Sequence, residues 1–283
     1  MSRAVVIAVV SDIHAGSAVA LAPPTVPLDD GGIYRASKAQ CWLWDNWQDY
    51  LRQVDAARQR EDAELYCVFN GDLVDGQVKG STQILSANPN AQAQVWNEAV
   101  RIPLALTPER LVVVRGTEAH TGNSAASEER IADGLRRDKR PIIVASDTTM
   151  ASWWHWRAEI QGIRLDVTHH GRTGLREHTR GGAAVLHAHD ILLSHVKAGH
   201  PFPHLCLRGH YHKFNDSHDA CPVRVLTTGA WQLATSHVKR IAADSLSDIG
   251  GAIVIIRNGE YEVRKVHYRP ERGPVWTPEQ AAA

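Results

Sequence analysis

The chain has 283 residues, and its 31 Asp and Glu residues balance its 31 Lys and Arg residues, so the formal charge is zero. An apolar content of 43% and a charged content of 22% are those of an ordinary globular protein, and the length allows one or two domains. The balance excludes a strong basic field for nucleic acid, although a local patch would fit. The cysteines are scattered without a C-x-x-C pair and indicate reduced thiols, at Cys41, Cys67, Cys206 and Cys221.

The amino-terminal segment predicts a strand. Ala4–Val10, AVVIAVV, is a short, continuous apolar run of mostly β-branched residues, which is typical of a strand buried on both faces. The run is too short for a signal peptide, and an Asp follows within two residues. No apolar run approaches the roughly 20 residues that a membrane-spanning helix needs. We therefore expect a cytoplasmic protein with no membrane partner.

Strands and helices alternate through the first half of the chain. A Pro-rich segment, 21–32, is predicted to be a loop. Apolar residues at helical spacing and short apolar runs then predict helices over 36–59, 90–106 and 125–137 and strands over 64–69 and 110–116. Pro103 should end or kink the second helix. The charged segment 127–140 is interpreted as a solvated helix face.

The second half is richer in strands. The patterns predict a hairpin over 152–170 with its turn near Gln161 and Gly162, a helix over 182–189, strands over 204–210 and 222–229, and a hairpin over 251–268 that turns at Asn258-Gly259. No linker divides the chain. We expect a single α/β domain over 1–270 with two packed sheets, followed by a loosely ordered tail, 271–283.

Five predicted strands end in side chains that can bind metal ions. The strand ends read SDIH, NGDLVD, RGTEAH, VTHHG and RGHYH, and they supply Asp12, His14, Asp72, Asp75, Glu118, His120, His169, His170, His210 and His212. In open α/β sheets, ligands bind at the carboxyl ends of the strands. Carboxylates and imidazoles without thiolates suit Mn, Fe or Zn in place of a structural zinc of the cysteine type.

The motifs D-x-H, G-D-x-x-D, a glycine-to-histidine element, a late histidine and G-H-x-H, in this order, resemble those of the calcineurin-like metallophosphoesterases. The resemblance implies a four-layer α/β/β/α sandwich, in which two packed mixed β-sheets are flanked by helices. It also implies two divalent metal ions at one edge, with Mn favoured, and hydrolysis of a phosphate ester by a hydroxide that bridges them.

The resemblance further implies a role for each motif residue. The first metal would be held by Asp12, His14 and His212, with Asp72 bridging both metals, and the second by His210 and a histidine of the THHG segment. His169 follows the last small hydroxyl residue of its strand directly, whereas His170 adjoins the glycine, so both stay open as that ligand. Asp75 would orient a ligand by a hydrogen bond.

One motif departs from the family. Where the family has Gly-Asn-His, this chain reads Gly116-Thr117-Glu118-Ala119-His120. Either Thr117 or Glu118 could replace the asparagine oxygen as a metal ligand, and His120 is the candidate proton donor. Two arginines close behind the histidine pair, Arg172 and Arg180, are either surface charges or contacts to a substrate phosphate.

The substrate is expected to be a phosphate ester, with a preference for a phosphodiester such as a nucleotide or nucleic acid, because short relatives without a cap include nucleases. A phosphomonoesterase is the alternative. A non-catalytic metal-binding scaffold of the same fold is a second class, but degenerate members lose motif histidines, which this chain keeps. A zinc-storage protein would bind more than two exchangeable metals per chain.

Overall fold

Two five-stranded sheets pack face to face in the computed structural model, which describes residues 3–78, 81–145, 148–172, 174, 177–242 and 245–271. The first sheet has the order β12-β11-β1-β4-β5, built from β1 (Val5–Val10), β4 (Glu64–Asn70), β5 (Arg110–Val114), β11 (Ile249–Arg257) and β12 (Glu260–Tyr268). Its β1, β4 and β5 are parallel. Strand β11 pairs antiparallel with β1, and β12 pairs antiparallel with β11.

The second sheet has the order β6-β7-β8-β10-β9, built from β6 (Trp156–Ile160), β7 (Ile163–Val167), β8 (Leu205–Arg208), β9 (Asn215–Asp216) and β10 (Arg224–Thr227). Here β7, β8 and β10 are parallel, and β6 and β9 join antiparallel at the two edges. Both sheets are therefore mixed, as expected. A separate ribbon pairs β2 (Thr25–Pro27) with β3 (Ile33–Arg35).

Helices cover the outer face of each sheet. Side chains alternate across a strand, so one face of β1 enters the layer between the sheets while the other meets helices α1 (Lys38–Glu61), α2 (Pro89–Ala105) and α4 (Ala126–Arg137). Helix α5 (Arg180–Ala198) packs Ala188 on Cys206 and Val225 of the second sheet. Two short helices, α3 (Glu118–Thr121) and α6 (Ser236–Ile241), complete the set of α-helices among the described residues. The predicted four-layer sandwich is confirmed.

Helix α1 shows how the local sequence builds these layers. It begins at a capping box, in which Ser37 Oγ accepts from Gln40 N at 3.3 Å and Gln40 Oε1 accepts from Ser37 N at 3.1 Å. Its apolar residues at Leu43, Trp47 and Val54 are fully buried against the first sheet. The helix ends where Asp62 adopts a left-handed backbone conformation.

Several predicted boundaries differ from the structure. The predicted loop 21–32 contains β2 and the whole turn to β3, because the Pro-rich ribbon lacks the apolar alternation of a core strand. Helix α5 is longer than 182–189, since apolar residues such as Leu186 and Leu193 lie on its exposed face and obscure the periodicity. The strand predicted from 152 begins only at Trp156.

Pro103 lies in the last turn of α2, and the helix ends two residues later at Ala105. The predicted tail lies outside the described residues except for Glu271. Among the described residues, no helix combines the length and apolarity needed to cross a lipid bilayer.

Candidate metal centre

The loops after β1, β4, β5, β7 and β8 meet at one edge of the sandwich. They bring together four overlapping groups of carboxylate and imidazole ligand atoms, each group lying within 4.8 Å: Asp12, His14 and His212; His14, Asp72 and His120; Asp12, Asp72 and His169; and His169, His170 and His210. Parallel strands place these loops together because their carboxyl ends share an edge. The expected convergence of strand ends is present.

Five of these residues have a left-handed backbone. The φ angles are 55° at Asp12, 47° at His14, 51° at Asp72, 75° at His210 and 53° at His212. Non-glycine residues seldom adopt this conformation, and strained backbone of this kind clusters at functional sites. The loops are held there by hydrogen bonds between motifs, including Asp12 N to Gly71 O at 3.0 Å and His14 N to Asp72 O at 2.9 Å.

Two motif glycines allow the loops to approach each other closely. A Cβ atom on Gly71 would lie 2.4 Å from His169 Nδ1, and one on Gly209 would lie 2.0 Å from Ser11 Oγ. Neither contact can be relieved without moving a ligand loop. The glycines of the G-D and G-H motifs are therefore needed for loops of the two sheets to meet.

Each buried carboxylate has one oxygen held in place and one facing the cluster. Asp12 Oδ2 accepts from His210 N at 2.9 Å and from Ser11 Oγ, and Asp72 Oδ1 accepts from Thr117 N at 2.6 Å. Asp12 Oδ1 has no hydrogen-bond partner among the described residues, and Asp72 Oδ2 lies 3.1 Å from His169 Nε2. A buried oxygen without a donor is costly unless a cation satisfies it.

The imidazoles are oriented in the same manner. His169 Nδ1 lies 2.7 Å from Asn70 O, and because a carbonyl can only accept, this nitrogen carries the hydrogen. His14 Nδ1 is likewise 3.1 Å from an Asp75 carboxylate oxygen. Their Nε2 atoms face the cluster, where His14 Nε2 lies 3.2 Å from His212 Nε2. Outer hydrogen bonds of this kind fix the tautomer and orientation of metal-binding histidines.

The electrostatics of the cluster favour positive charge. Burial acts to lower the pKa of His14, but hydrogen bonds to Asp12 and Asp75 outweigh it and raise that pKa to about 10. The pKa of His169 is raised to about 9 against the same effect of burial, chiefly by Asp72 and Asp12. Conversely, the histidines hold the pKa of Asp12 and Asp72 well below the usual range although burial opposes them. Cations bound here would supply the charge that these carboxylates require.

Three other histidines of the cluster, His210, His170 and His120, have lowered pKa values, which favour the neutral imidazole. Burial, followed by the charge of His169, lowers the pKa of His210 to about 4 and also lowers the pKa of His170. Burial and His14 lower the pKa of His120. Neutral imidazoles keep a lone pair available for a metal ion. On donor type, orientation and charge, the residues present fit divalent cations.

The structure separates the two candidates for the missing asparagine. Thr117 Oγ1 lies 3.1 Å from His210 Nδ1 and 3.3 Å from His170 Nε2, so the hydroxyl faces the cluster. The Glu118 carboxylate instead accepts from Ser124 N at 2.9 Å and belongs to none of the four groups. Asp75 accepts from Gln232 Nε2 at 3.1 Å in addition to its contact with His14, as an orienting residue would.

The two candidate arginines contact residues of the second sheet's helix and edge. Arg172 follows the histidine pair, and its guanidinium is ion-paired with Asp190 on α5. Arg180 begins α5, where its carbonyl oxygen accepts from Asn215 Nδ2 at 2.6 Å. A role for either in binding phosphate stays a prediction.

Glu128 is a supporting residue that the sequence interpretation missed. The charge of the segment 127–140 predicts a solvated helix face, but Glu128 is fully buried and accepts from Leu73 N at 3.2 Å and from Gly116 N. It thereby ties the second motif to the third. A signal was present, because Glu128 shares helical spacing with the buried Ile131, Ala132 and Leu135.

No family model matches the sequence, and no curated protein matches it. Among solved structures, 41 chains match. Vacuolar protein sorting 29 from Cryptosporidium parvum is 10% identical, with a TM-score of 0.43 over 95% of this chain and 100% of that one. Vacuolar protein sorting 29 from Entamoeba histolytica, complexed with zinc, is 10% identical, with a TM-score of 0.41, and the match covers 93% of this chain and 98% of that one. A dimetal phosphatase from Danio rerio is 12% identical, with a TM-score of 0.40, and the match covers 91% of this chain and 98% of that one.

Likenesses at this level of identity and TM-score transfer no activity, ligand or residue role. The fold is described instead from two observations: the two mixed sheets pack together, and the five strand-end motifs meet at one edge. The arrangement of layers and motifs is the one that the resemblance to the calcineurin-like metallophosphoesterases implied. The third motif, Gly116-Thr117-Glu118-Ala119-His120, is where this chain departs from that pattern.

Proposed function

We propose that this chain hydrolyses phosphate esters with two divalent cations, and that phosphodiesters are its preferred substrates. The observation that carries the proposal is the pair of buried carboxylates, Asp12 and Asp72. Each has one oxygen held by the protein and the other aimed at imidazole nitrogens. A packed core has no need of such a pair, whereas a centre for two cations requires it.

The groups of ligand atoms support a division between the two cations. The first would be held by Asp12, His14 and His212, the second by His169 and His210, with Asp72 shared between them. The ligand types suit Mn, Fe or Zn, and we favour Mn. When bound, two such cations lower the pKa of a water molecule and withdraw charge from phosphoryl oxygens.

The protein residues supply position and exclusion of water. Asp12, His14 and His169 are at most 1% exposed, so charges in this part of the centre act in a medium of low polarity. Asp75 and Asn70 keep the imidazole Nε2 atoms of His14 and His169 facing inward.

The preference for phosphodiesters rests on the resemblance to the calcineurin-like metallophosphoesterases, because the short members of that family include nucleases.

His120 is the candidate proton donor. Its Nδ1 lies 2.9 Å from Asp75 O and therefore carries a hydrogen, and its ring meets that of His14 edge-on at 4.5 Å. A second proton at Nε2 would be the one delivered to the leaving oxygen. Because burial and His14 lower the pKa of His120, its doubly protonated ring gives up a proton more readily than an exposed imidazolium does.

We expect His120→Ala to slow hydrolysis of alkyl phosphodiesters by about 10²–10⁴-fold and to affect 4-nitrophenyl esters much less, because only a poor leaving group needs the proton. The measurement is kcat/KM across a series of leaving groups, with bound metal counted in the same samples. Equal slowing of good and poor leaving groups would remove His120 from the acid role. Loss of metal would instead make it a ligand, as its group with His14 and Asp72 allows.

The proposed function is tested with the Mn-reconstituted full chain on bis(4-nitrophenyl) phosphate and 4-nitrophenyl phosphate. We expect hydrolysis that depends on metal and a higher kcat/KM for the diester. A higher value for the monoester would make the chain a phosphomonoesterase. Two bound metals with neither ester cleaved would support the non-catalytic scaffold, and more than two exchangeable metals would support the storage protein.

A further inference from the structure

Three histidines surround the place where the third motif departs from its family. The ligand atoms of His169, His170 and His210 lie within 4.8 Å of one another. Their rings are mutual neighbours, with centroids 5.0 Å apart for His169 and His170, 4.6 Å for His170 and His210, and 5.4 Å for His169 and His210. Adjacent residues of one loop thus both direct their rings to the same point.

Thr117, which stands in the asparagine position, is adjacent to this histidine group. Its hydroxyl is within 3.3 Å of both His170 Nε2 and His210 Nδ1. A neutral hydroxyl is a weaker ligand for Mn, Fe or Zn than an imidazole nitrogen, which these metals accept readily. The threonine is therefore better suited to orient a histidine than to replace the lost amide oxygen.

The loop that carries the pair is held from both sides. Thr168 Oγ1 donates to His170 O at 2.8 Å, and Tyr211 Oη donates to Gly171 O at 2.8 Å. His169 is buried, whereas His170 is exposed at the rim of the group. The two histidines therefore approach a common point from inside the protein and from its surface, as two ligands of one ion do.

We infer that His170 replaces the family's asparagine as a protein ligand of the second cation, alongside His169 and His210 and oriented by the Thr117 hydroxyl. The inference rests on the proposed dinuclear centre. It makes the two histidines of the HHG segment partners, where the sequence alone offered them as alternatives. The second cation would then have three imidazole ligands in addition to Asp72.

The test counts metal in four forms of the full chain, each loaded with Mn and dialysed: wild type, His170→Ala, the double variant His170→Ala with Thr117→Asn, and His189→Ala. We expect two ions in the wild type and one in His170→Ala, with the second binding at least about 100-fold more weakly, since even supporting residues are worth about 10–100-fold. Low-temperature EPR adds an independent readout, because a coupled pair and an isolated Mn ion give different spectra.

The double variant restores an amide at the family's position. We expect it to recover the second ion and the coupled spectrum, because the asparagine oxygen would take the place vacated by the imidazole. His189→Ala is the matched control, since His189 is exposed and its Nδ1 donates within α5, to Val185 O at 2.9 Å. This control should keep both ions.

The outcomes separate this inference from the proposed function. If the wild type fails to hold two ions, the dinuclear centre itself is wrong. If the wild type holds two ions and His170→Ala holds both with unchanged affinity, the ligand role of His170 is wrong while the centre stands. Loss of both ions from a folded His170→Ala would also overturn it, because the role assigned here concerns the second ion alone.

Discussion

Replacing Asp72 by asparagine should abolish hydrolysis and tight binding of both cations while leaving the fold intact. The loss should exceed the roughly 100-fold that marks a residue supporting a metal ligand. Asp72 Oδ1 is held by Thr117 N, and Oδ2 faces His169. The amide keeps the shape but removes the charge. Asparagine also tolerates the left-handed backbone at this position, where φ is 51°, so misfolding is not the expected cause.

Asp62→Asn is the matched control for this change. Asp62 has the same left-handed backbone, with φ at 44°, but its side chain is 93% exposed at the end of α1, at the opposite end of β4 from the Asp72 loop. The measurements are kcat/KM for the diester, bound metal per chain and the circular dichroism spectrum. Unchanged turnover in Asp72→Asn would refute the assignment of the centre.

Asp166→Asn should lower the free energy of unfolding by about 3–5 kcal/mol, the range found when one partner of a buried ion pair is removed. Asp166 Oδ1 lies 2.6 Å from Arg208 Nη2, and Oδ2 lies 2.6 Å from His155 Nε2. Arg208 is only 5% exposed, so the variant would leave a buried guanidinium without its counter-charge. The pair links β7 to β8, the two strands of the second sheet that carry ligand loops.

Urea unfolding of the metal-free protein at pH 7 measures this loss without a contribution from bound cations. Asp62→Asn again serves as the control, because it removes a carboxylate charge from an exposed pair with Arg3, for which only a small fraction of the effect is expected. If Asp166→Asn unfolds at the same urea concentration as the control, the pair does not stabilise the sheet.

The same pair predicts the direction of the pH dependence. Burial acts to raise the pKa of Asp166, but His155 and Arg208 outweigh it and lower the pKa from 3.8 to about 2. A lowered pKa in the folded state means that the stabilisation is complete above pH 3.8 and is lost as the pH falls toward about 2. The difference in stability between wild type and Asp166→Asn should therefore shrink over this interval.

The placement of the centre could be predicted because it depends on local patterns. Short apolar runs predict strands, and the polar residues that follow them lie at the carboxyl ends; SDIH after β1 and RGHYH after β8 are examples. Parallel pairing then brings those ends together. The fold class could be predicted from the alternation of strands and helices. The order of the strand-end motifs, which resembles that of a known family, pointed to the same class.

The finer contacts depend on distances that no local pattern encodes. His14 and His212 are 198 residues apart in sequence, yet their Nε2 atoms lie 3.2 Å apart. Thr117 faces the cluster and Glu118 does not, because α3 begins at Glu118 with Thr117 as its N-cap. His169 and His170 belong to one group only because His210 lies beside both. These contacts are set by how the two sheets pack, which periodicity within one segment does not determine.

The left-handed backbone at five candidate ligand residues, Asp12, His14, Asp72, His210 and His212, bears on how such a chain can evolve. Strain of this kind costs on the order of 1 kcal/mol per residue, which glycine at the same positions would relieve. A lineage that used this sandwich only as a platform for assembly would gain stability with each strained residue that drifted to glycine. Aspartate or histidine at these five positions therefore carries a cost in folding stability, which the proposed metal centre would explain.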